Sequence, residues 1–202
     1  MSQAPTREVA KRVFAREFND ATFTFKESDD ERAPNFALLP TGDRANRVFV
    51  VGTLTETEDI GDESEYWRGR VVGPTGTFFV YAGQYQPDAT AFLRDAEAPE
   101  YVAVVGKPST FETDDGTVNV SLRPESISAS DENARERWIV ETAERTLDRI
   151  EAFEDETNEY AEMARDEYDT AVETYRREAE AALDSIVEDG DAAEESEPEA
   201  AP

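Results

Sequence analysis

The spacing of apolar and polar positions divides the chain into three regimes. Val9, Ala10, Val13, Phe14 and Phe18 recur at helical intervals, with Thr6 placed to cap and Glu8 in the first turn. This pattern predicts a helix that ends at Asn19-Asp20. Thr22-Phe23-Thr24-Phe25 then alternates as a strand. A charged loop runs from Glu27 to Pro34, and Phe36 to Leu39 is expected to pair back before the turn Pro40-Thr41-Gly42-Asp43. From Arg47 the period is two, and five strands are predicted: Val48 to Thr55, Tyr66 to Val72, Thr77 to Tyr81, Tyr101 to Gly106 and Thr117 to Ile127. They are joined by an acidic loop (Glu56 to Glu65), the turn Gly73-Pro74-Thr75-Gly76, a helix over Asp88 to Ala96, a loop from Lys107 to Phe111, and the hairpin turn Thr113-Asp114-Asp115-Gly116.

Three strands, a helix and two strands is the order of an OB-fold, a mainly β, five-stranded Greek-key barrel. Such barrels usually bind oligonucleotides or oligosaccharides on the face of strands 2 and 3 and in the loops after strands 1 and 4, but fold alone does not establish function. Past the barrel the period becomes helical. Ile139, Ala143, Thr146, Ile150 and Phe153 recur at 4-3-4-3 with Trp138 beside them, which is the seam of a bundle and a candidate partner surface. Glu154 to Glu159 reads as a hinge. Ala164, Tyr168, Ala171, Tyr175, Ala179, Ala182 and Ile186 then form a thin stripe suited to folding back on the first helix or to packing on a partner. The expected organisation is an N-terminal helix and hairpin over 1–43, the OB-fold domain over 44–130, a helical assembly region over 131–187, and a disordered acidic tail over 188–202.

Charge reinforces that division. The chain of 202 residues holds 48 acidic and 20 basic side chains, a formal net charge of −28. Residues 131–202 carry 26 of the acids and 7 of the bases. Seventeen of the basic residues are arginine and only three are lysine (Lys11, Lys26, Lys107), a surface suited to staying hydrated in molar salt. There is no histidine and no cysteine. Ser-His-Asp and cysteine nucleophiles, zinc fingers and disulfides are thereby excluded, and no P-loop or dinucleotide fingerprint is present. The carboxylate groups Asp29-Asp30-Glu31, Asp59/Asp62/Glu63/Glu65 and Asp114-Asp115 show no metal-ligand spacing, so neither a metal, a cofactor nor an enzymatic activity is expected. No run approaches the ~18 apolar residues of a membrane span, and the expected location is the cytoplasm.

Candidate chemistry lies on the barrel. Alternation puts Tyr66, Arg68 and Arg70 on one side of strand 2, opposite Trp67, Gly69 and Val71, and puts Thr77, Phe79 and Tyr81 opposite Phe78 and Val80 on strand 3. One set must fill the core. The other would offer aromatic rings for base stacking and guanidinium forks for phosphates. Phe111 in the loop after strand 4 either stacks on a base or caps the barrel end. Lys107 in that loop either meets a phosphate or stays solvated.

The runs NRVFVVGTLTETEDIG, YWRGRVVGPTGTFFVYAG and VVGKPSTF…DGTVNVSLRPE, followed by a Trp-bearing helix, resemble the haloarchaeal replication protein A-associated proteins. Those are OB-fold partners of the archaeal single-strand binding protein, similar to the middle subunit of eukaryotic replication protein A. The resemblance spans roughly residues 5–187. It implies single-stranded DNA binding in replication and repair, within a complex containing a large replication protein A-type subunit. Gly106 and Phe111 match the family's Gly-x-x-x-x-Phe stacking motif. A second stacker, a tryptophan at the end of strand 3, is absent: Tyr81-Ala82-Gly83-Gln84-Tyr85 stands there, with Tyr81 or Tyr85 as replacements. The resemblance also implies assembly through the helix Glu132 to Phe153. Two further readings remain open: an OB module that contacts only protein, and one that binds RNA.

Overall fold

The computed structural model describes residues 7–169 and 171–195, with side chains described as far as Val187. Chain order gives β1 (Lys11–Arg12), α1 (Ala15–Asp20), β2 (Thr24–Lys26), β3 (Asn35–Leu39), β4 (Asp43–Ala45), β5 (Val48–Asp59), β6 (Trp67–Gly73), β7 (Gly76–Ala82), α2 (Pro87–Asp95), β8 (Glu100–Glu112), β9 (Val118–Ala129), α3 (Glu132–Phe153), α4 (Glu159–Glu167) and α5 (Glu173–Glu195). Strands β5-β6-β7-β9-β8 lie in that order, and β8 returns to pair with β5, so the sheet closes. All contacts around the ring are antiparallel except β7 with β9, which meet in parallel at Val80 and Leu122. This is the OB-fold that the strand order predicts.

Inward positions follow the period of two. Val50, Leu54, Val71, Phe78, Val80, Val102, Val104 and Leu122 are buried, and Ala89 and Leu93 of α2 plug the barrel end. Gly69 lies beneath that plug: a Cβ there would stand 2.8 Å from Leu93 Cδ2. Each large apolar side chain so removed from water contributes ~1.5–3 kcal/mol before conformational entropy is subtracted.

The N-terminal segment differs from its predicted form. Lys11 and Arg12 pair in parallel with Val48 and Phe49, and the helix starts only at Ala15. Thr6, the expected cap, lies outside the described residues. An edge of β5 is open to pairing, so these residues satisfy their backbone groups in a sheet, while Val13 and Phe14 still reach the core.

The predicted partner seam is also internal. Trp138, Ile139, Ala143, Thr146, Ile150 and Phe153 are all buried within this one chain. The Trp138 indole N–H donates to the Phe49 carbonyl at 2.8 Å, and its ring meets Phe14 edge-on at 5.6 Å. α5 folds back over α3 and α1, burying Tyr175, Ala179 and Ala182. Small side chains on one helix allow this close return, so the seam is filled from inside and a partner has no access to it.

Between α3 and α1 lies a charged tie. Arg149 donates through NH2 to Glu17 Oε2 at 2.8 Å and through Nε to Thr41 Oγ1 at 3.0 Å. Thr41 in turn donates to Glu17 Oε1, and Arg149 reaches the Arg12 carbonyl and Thr146 Oγ1. Glu17 is 1 % exposed.

A second, smaller core joins β2, β3 and β4 to the end of α3 and to α4, through Leu38, Phe153, Ala161, Ala164, Phe25 and Tyr160. The small sheet and the helical region thus share it. Gly42 has φ +81°, and a Cβ there would lie 2.7 Å from Phe153 Cδ2 and 2.9 Å from the Ala161 backbone. Asn158 caps α4 with its carbonyl oxygen and donates to the Gly42 carbonyl at 3.1 Å. The Ala/Tyr stripe reads as one helix, yet the chain breaks at Tyr168, whose backbone is extended. Its hydroxyl donates to the Leu38 carbonyl at 2.7 Å and accepts the Phe23 N–H at 3.1 Å, bonds that hold it on the small sheet. α5 continues to Glu195, eight residues into the segment expected to be disordered, and 196–202 lie outside the described residues. Among the described residues no helix is long and apolar enough to cross a membrane.

Arg149→Ala removes the guanidinium partner of the buried Glu17 carboxyl group, and a loss of ~3–5 kcal/mol is expected in denaturant unfolding. Ile139→Asp is expected to lower the melting temperature of the whole chain rather than free an intact barrel from a partner. Burial raises the Tyr168 hydroxyl to about 12. The unfolded chain therefore ionises first, and stability present below pH ~10 falls as pH rises toward 12. Tyr168→Phe should weaken the fold at pH 7 by ~1–3 kcal/mol and flatten that alkaline fall, as read by denaturation at stepped pH.

Candidate nucleic-acid interface

The outward positions of four adjacent strands make one surface. On β6 and β7, Arg70 stands opposite Phe79 and Arg68 opposite Tyr81. On β8 and β9, Phe111 faces Asn119, Ser109 faces Ser121, and Lys107 faces Arg123. Directly opposed residues of an antiparallel pair share a face, so the three pairs of the β8–β9 arm line up along one side. Phe111 is therefore a strand residue. β8 runs six residues beyond Gly106, where a loop is predicted, because β9 offers it a full ladder as far as Glu112 and Val118. The tip is held by Asp115, which accepts from the Thr113 hydroxyl and from the Thr117 N–H at 3.1 Å. These bonds stabilise its ionised form and lower its pKa.

Three grooves run across this surface and share walls. The first, of about 450 Å³, is lined by Arg68, Phe79, Tyr81, Phe111 and Asn119, among others. Tyr81 also walls the second, of about 640 Å³, with Tyr66, Tyr85, Ser109, Ser121 and Arg123. Tyr85 and Arg123 continue into the third, of about 410 Å³, which reaches Lys107. Phe111 is 49 % exposed, Phe79 36 % and Tyr85 84 %, so rings of large area stand in water without packing partners of their own size. Tyr66 and Tyr81 stack at 5.8 Å between centroids and 21° between planes.

The end of β7 explains the missing tryptophan. Ala82 points into the core, and Gly83 lies under the Tyr66 ring, where a Cβ would come within 2.9 Å of Cδ2. Aromatic surface at this corner is therefore supplied by β6 and its preceding loop. Asp59 fixes that loop by accepting the N–H groups of Gly61 at 3.0 Å and Tyr66 at 3.1 Å, and both bonds draw its pKa below the usual carboxylate range.

Of the eight residues predicted for the interface, seven line these grooves: Phe111, Phe79, Tyr81 and Arg68 in the first, Tyr66, Tyr81 and Tyr85 in the second, Tyr85 and Lys107 in the third. Arg70 stands exposed beside Phe79 and lines none of the three. Arg68 is tied to Glu58 by an ion pair at 2.5 Å. Asn119, Ser121 and Arg123 were not singled out from sequence. The signal for them is the alternation of Val118, Val120 and Leu122, which sends the intervening side chains outward.

No family model matches this chain, and no curated protein matches it. Solved structures similar to it include the second single-stranded DNA-binding protein of Mycobacterium smegmatis (18% identity, 42% of this chain and 86% of that one, TM-score 0.36). Others are the mitochondrial single-stranded DNA-binding protein Rim1 of S. cerevisiae (20%, 42% and 91%, 0.32) and the OBody NL8 bound to hen egg-white lysozyme (16%, 44% and 97%, 0.36). Each spans less than half of this chain, and the OB-fold stands on the closed strand order itself.

Gly83→Ala is expected to push the Tyr66 ring off Tyr81. The near-ultraviolet circular dichroism of the tyrosines should change, and the change should vanish in a Tyr66→Ala background.

Proposed function

We propose that this chain binds single-stranded DNA by base stacking, as a non-enzymatic accessory subunit of a replication protein A-type complex acting in replication and repair in a salt-rich cytoplasm. The observation that carries the stacking is the convergence of Phe79 and Tyr81 from β7 and Phe111 from β8 on one groove that Arg68 and Asn119 complete. Rings that serve only the core would be covered, as Phe78 and Trp138 are. The subunit role rests on the sequence resemblance. Because the α3 seam is occupied from within, a large subunit would dock on another surface.

Magnitudes favour rings over charge. At ~1 M salt the Debye length is ~3 Å, so a net charge of −28 acts on DNA only near contact. Stacking contributes ~1–3 kcal/mol per base and depends far less on salt. Phe111→Ala is expected to weaken binding of a labelled dT oligonucleotide at 2 M KCl by ~5–150-fold in an anisotropy titration. Unchanged affinity would remove Phe111 from the site.

A second reading, an OB module that contacts protein alone, is favoured by the small residues Ala82 and Gly83 at the end of β7. Binding of dT by the isolated chain at high salt excludes it. A labelled RNA of the same length tests sugar preference in the same titration.

A further inference from the structure

The cations of the barrel strands are not treated alike. There are four: Arg68, Arg70, Lys107 and Arg123. Arg68 has its carboxylate in Glu58. Lys107 and Arg123 make no ion pair among the described residues, although the chain holds 48 acids. They are also direct cross-strand neighbours, an arrangement of like charges that costs stability. Gly106 sets the approach: a Cβ there would stand 2.5 Å from the Arg123 carbonyl, so the strands close tightly where the two cations meet. Both side chains line the third groove with Tyr85. Two carboxylates also face it. Glu125 is already engaged by Arg47 at 2.6 Å, and Asp88 makes no ion pair with either cation.

We infer that Lys107 and Arg123 form a phosphodiester-binding station at the Tyr85 end of the interface, separate from the aromatic groove around Phe111. This deepens the proposed DNA-binding reading and rests on it for the identity of the phosphate carrier. Lys107 and Phe111 are four residues apart on β8, which places the stations roughly 13 Å apart along the strand. One station reads ring surface and is indifferent to salt. The other reads backbone charge and weakens as salt rises, so the two ends of one strand are held by interactions that differ in salt dependence.

The test is an anisotropy titration of labelled dT12 against the full chain, the Lys107→Gln/Arg123→Gln variant and the Phe111→Ala variant, between 0.5 and 2 M KCl. Circular dichroism at each salt verifies folding. Removing two phosphate contacts from a single strand should reduce the salt slope by ~1.4, so the variant's deficit should be about sevenfold larger at 0.5 M than at 2 M. Phe111→Ala should lower affinity at every salt and leave the slope unchanged. Lys107→Arg/Arg123→Lys should restore the full slope. A second probe, a 12-unit abasic deoxyribose-phosphate oligomer, should bind weakly, lose binding in the double-glutamine variant and be insensitive to Phe111→Ala. If dT12 binds with the same slope in variant and parent, the station is overturned and the stacking site stands. If only the abasic oligomer binds, through Lys107 and Arg123, the station stands and the DNA-stacking reading fails. Binding of neither probe overturns both.

Discussion

The contact between Glu17 and Arg149 decides how the molecule is arranged around its barrel. An ionised carboxylate at 1 % exposure is costly unless every lone pair is met. Here the guanidinium and Thr41 meet it from two further parts of the chain, the C-terminal end of α3 and the turn between β3 and β4. The geometry therefore brings α1, the small sheet and the long helix together at one point. Once they meet, the apolar residues that flank the tie on α3, from Trp138 to Phe153, have neighbours within the same chain. α5 closes over them with alanines and Tyr175, whose hydroxyl lies 2.9 Å from Asp20.

That arrangement leaves one side of the barrel unclaimed. Helices and the N-terminal strand cover the β5 side, where Trp138 hydrogen-bonds the Phe49 carbonyl. The outward positions of β6, β7, β9 and the far half of β8 stay open. On them stand rings without a core to fill and, in Lys107 and Arg123, two cations that make no ion pair among the described residues. A strongly acidic chain here keeps Lys107 and Arg123 side by side, with no ion pair to either among the described residues, next to the exposed ring of Tyr85. The larger share of the acidic excess lies from residue 131 onward.

Much of this is legible in the sequence. The period of two between Val48 and Ile127 gave the barrel strands, and the order of three strands, a helix and two strands gave their closure. Alternation also separates Tyr66, Arg68, Phe79 and Tyr81 from Val71, Phe78 and Val80, and the structure puts the second set in the core. For Phe111 the local pattern leaves stacking or capping of the barrel end open and predicts a loop; the break after Gly106 does not occur, because its ladder partners on β9 are distant in sequence. Arg123 carries no local signal for the same reason. Its meaning comes from Lys107 across the strand and Tyr85 beyond it, and neither neighbour is near in sequence.

The 4-3-4-3 seam of α3 shows where sequence stops. Periodicity determines that Ile139, Ala143, Thr146, Ile150 and Phe153 share one helix face and that the face must leave water. It cannot say what covers it, since a partner and the chain's own α5 satisfy the same hydrophobic requirement. Composition determined the absence of histidine and cysteine chemistry, and local patterning determined the barrel and its two faces. Tertiary structure alone decided that the seam is internal, that the stripe breaks at Tyr168 to reach Leu38 and Phe23, and that Gly83 yields its space to Tyr66. Each of these outcomes depends on contacts between residues far apart along the chain, where geometry rather than local propensity sets the free energy.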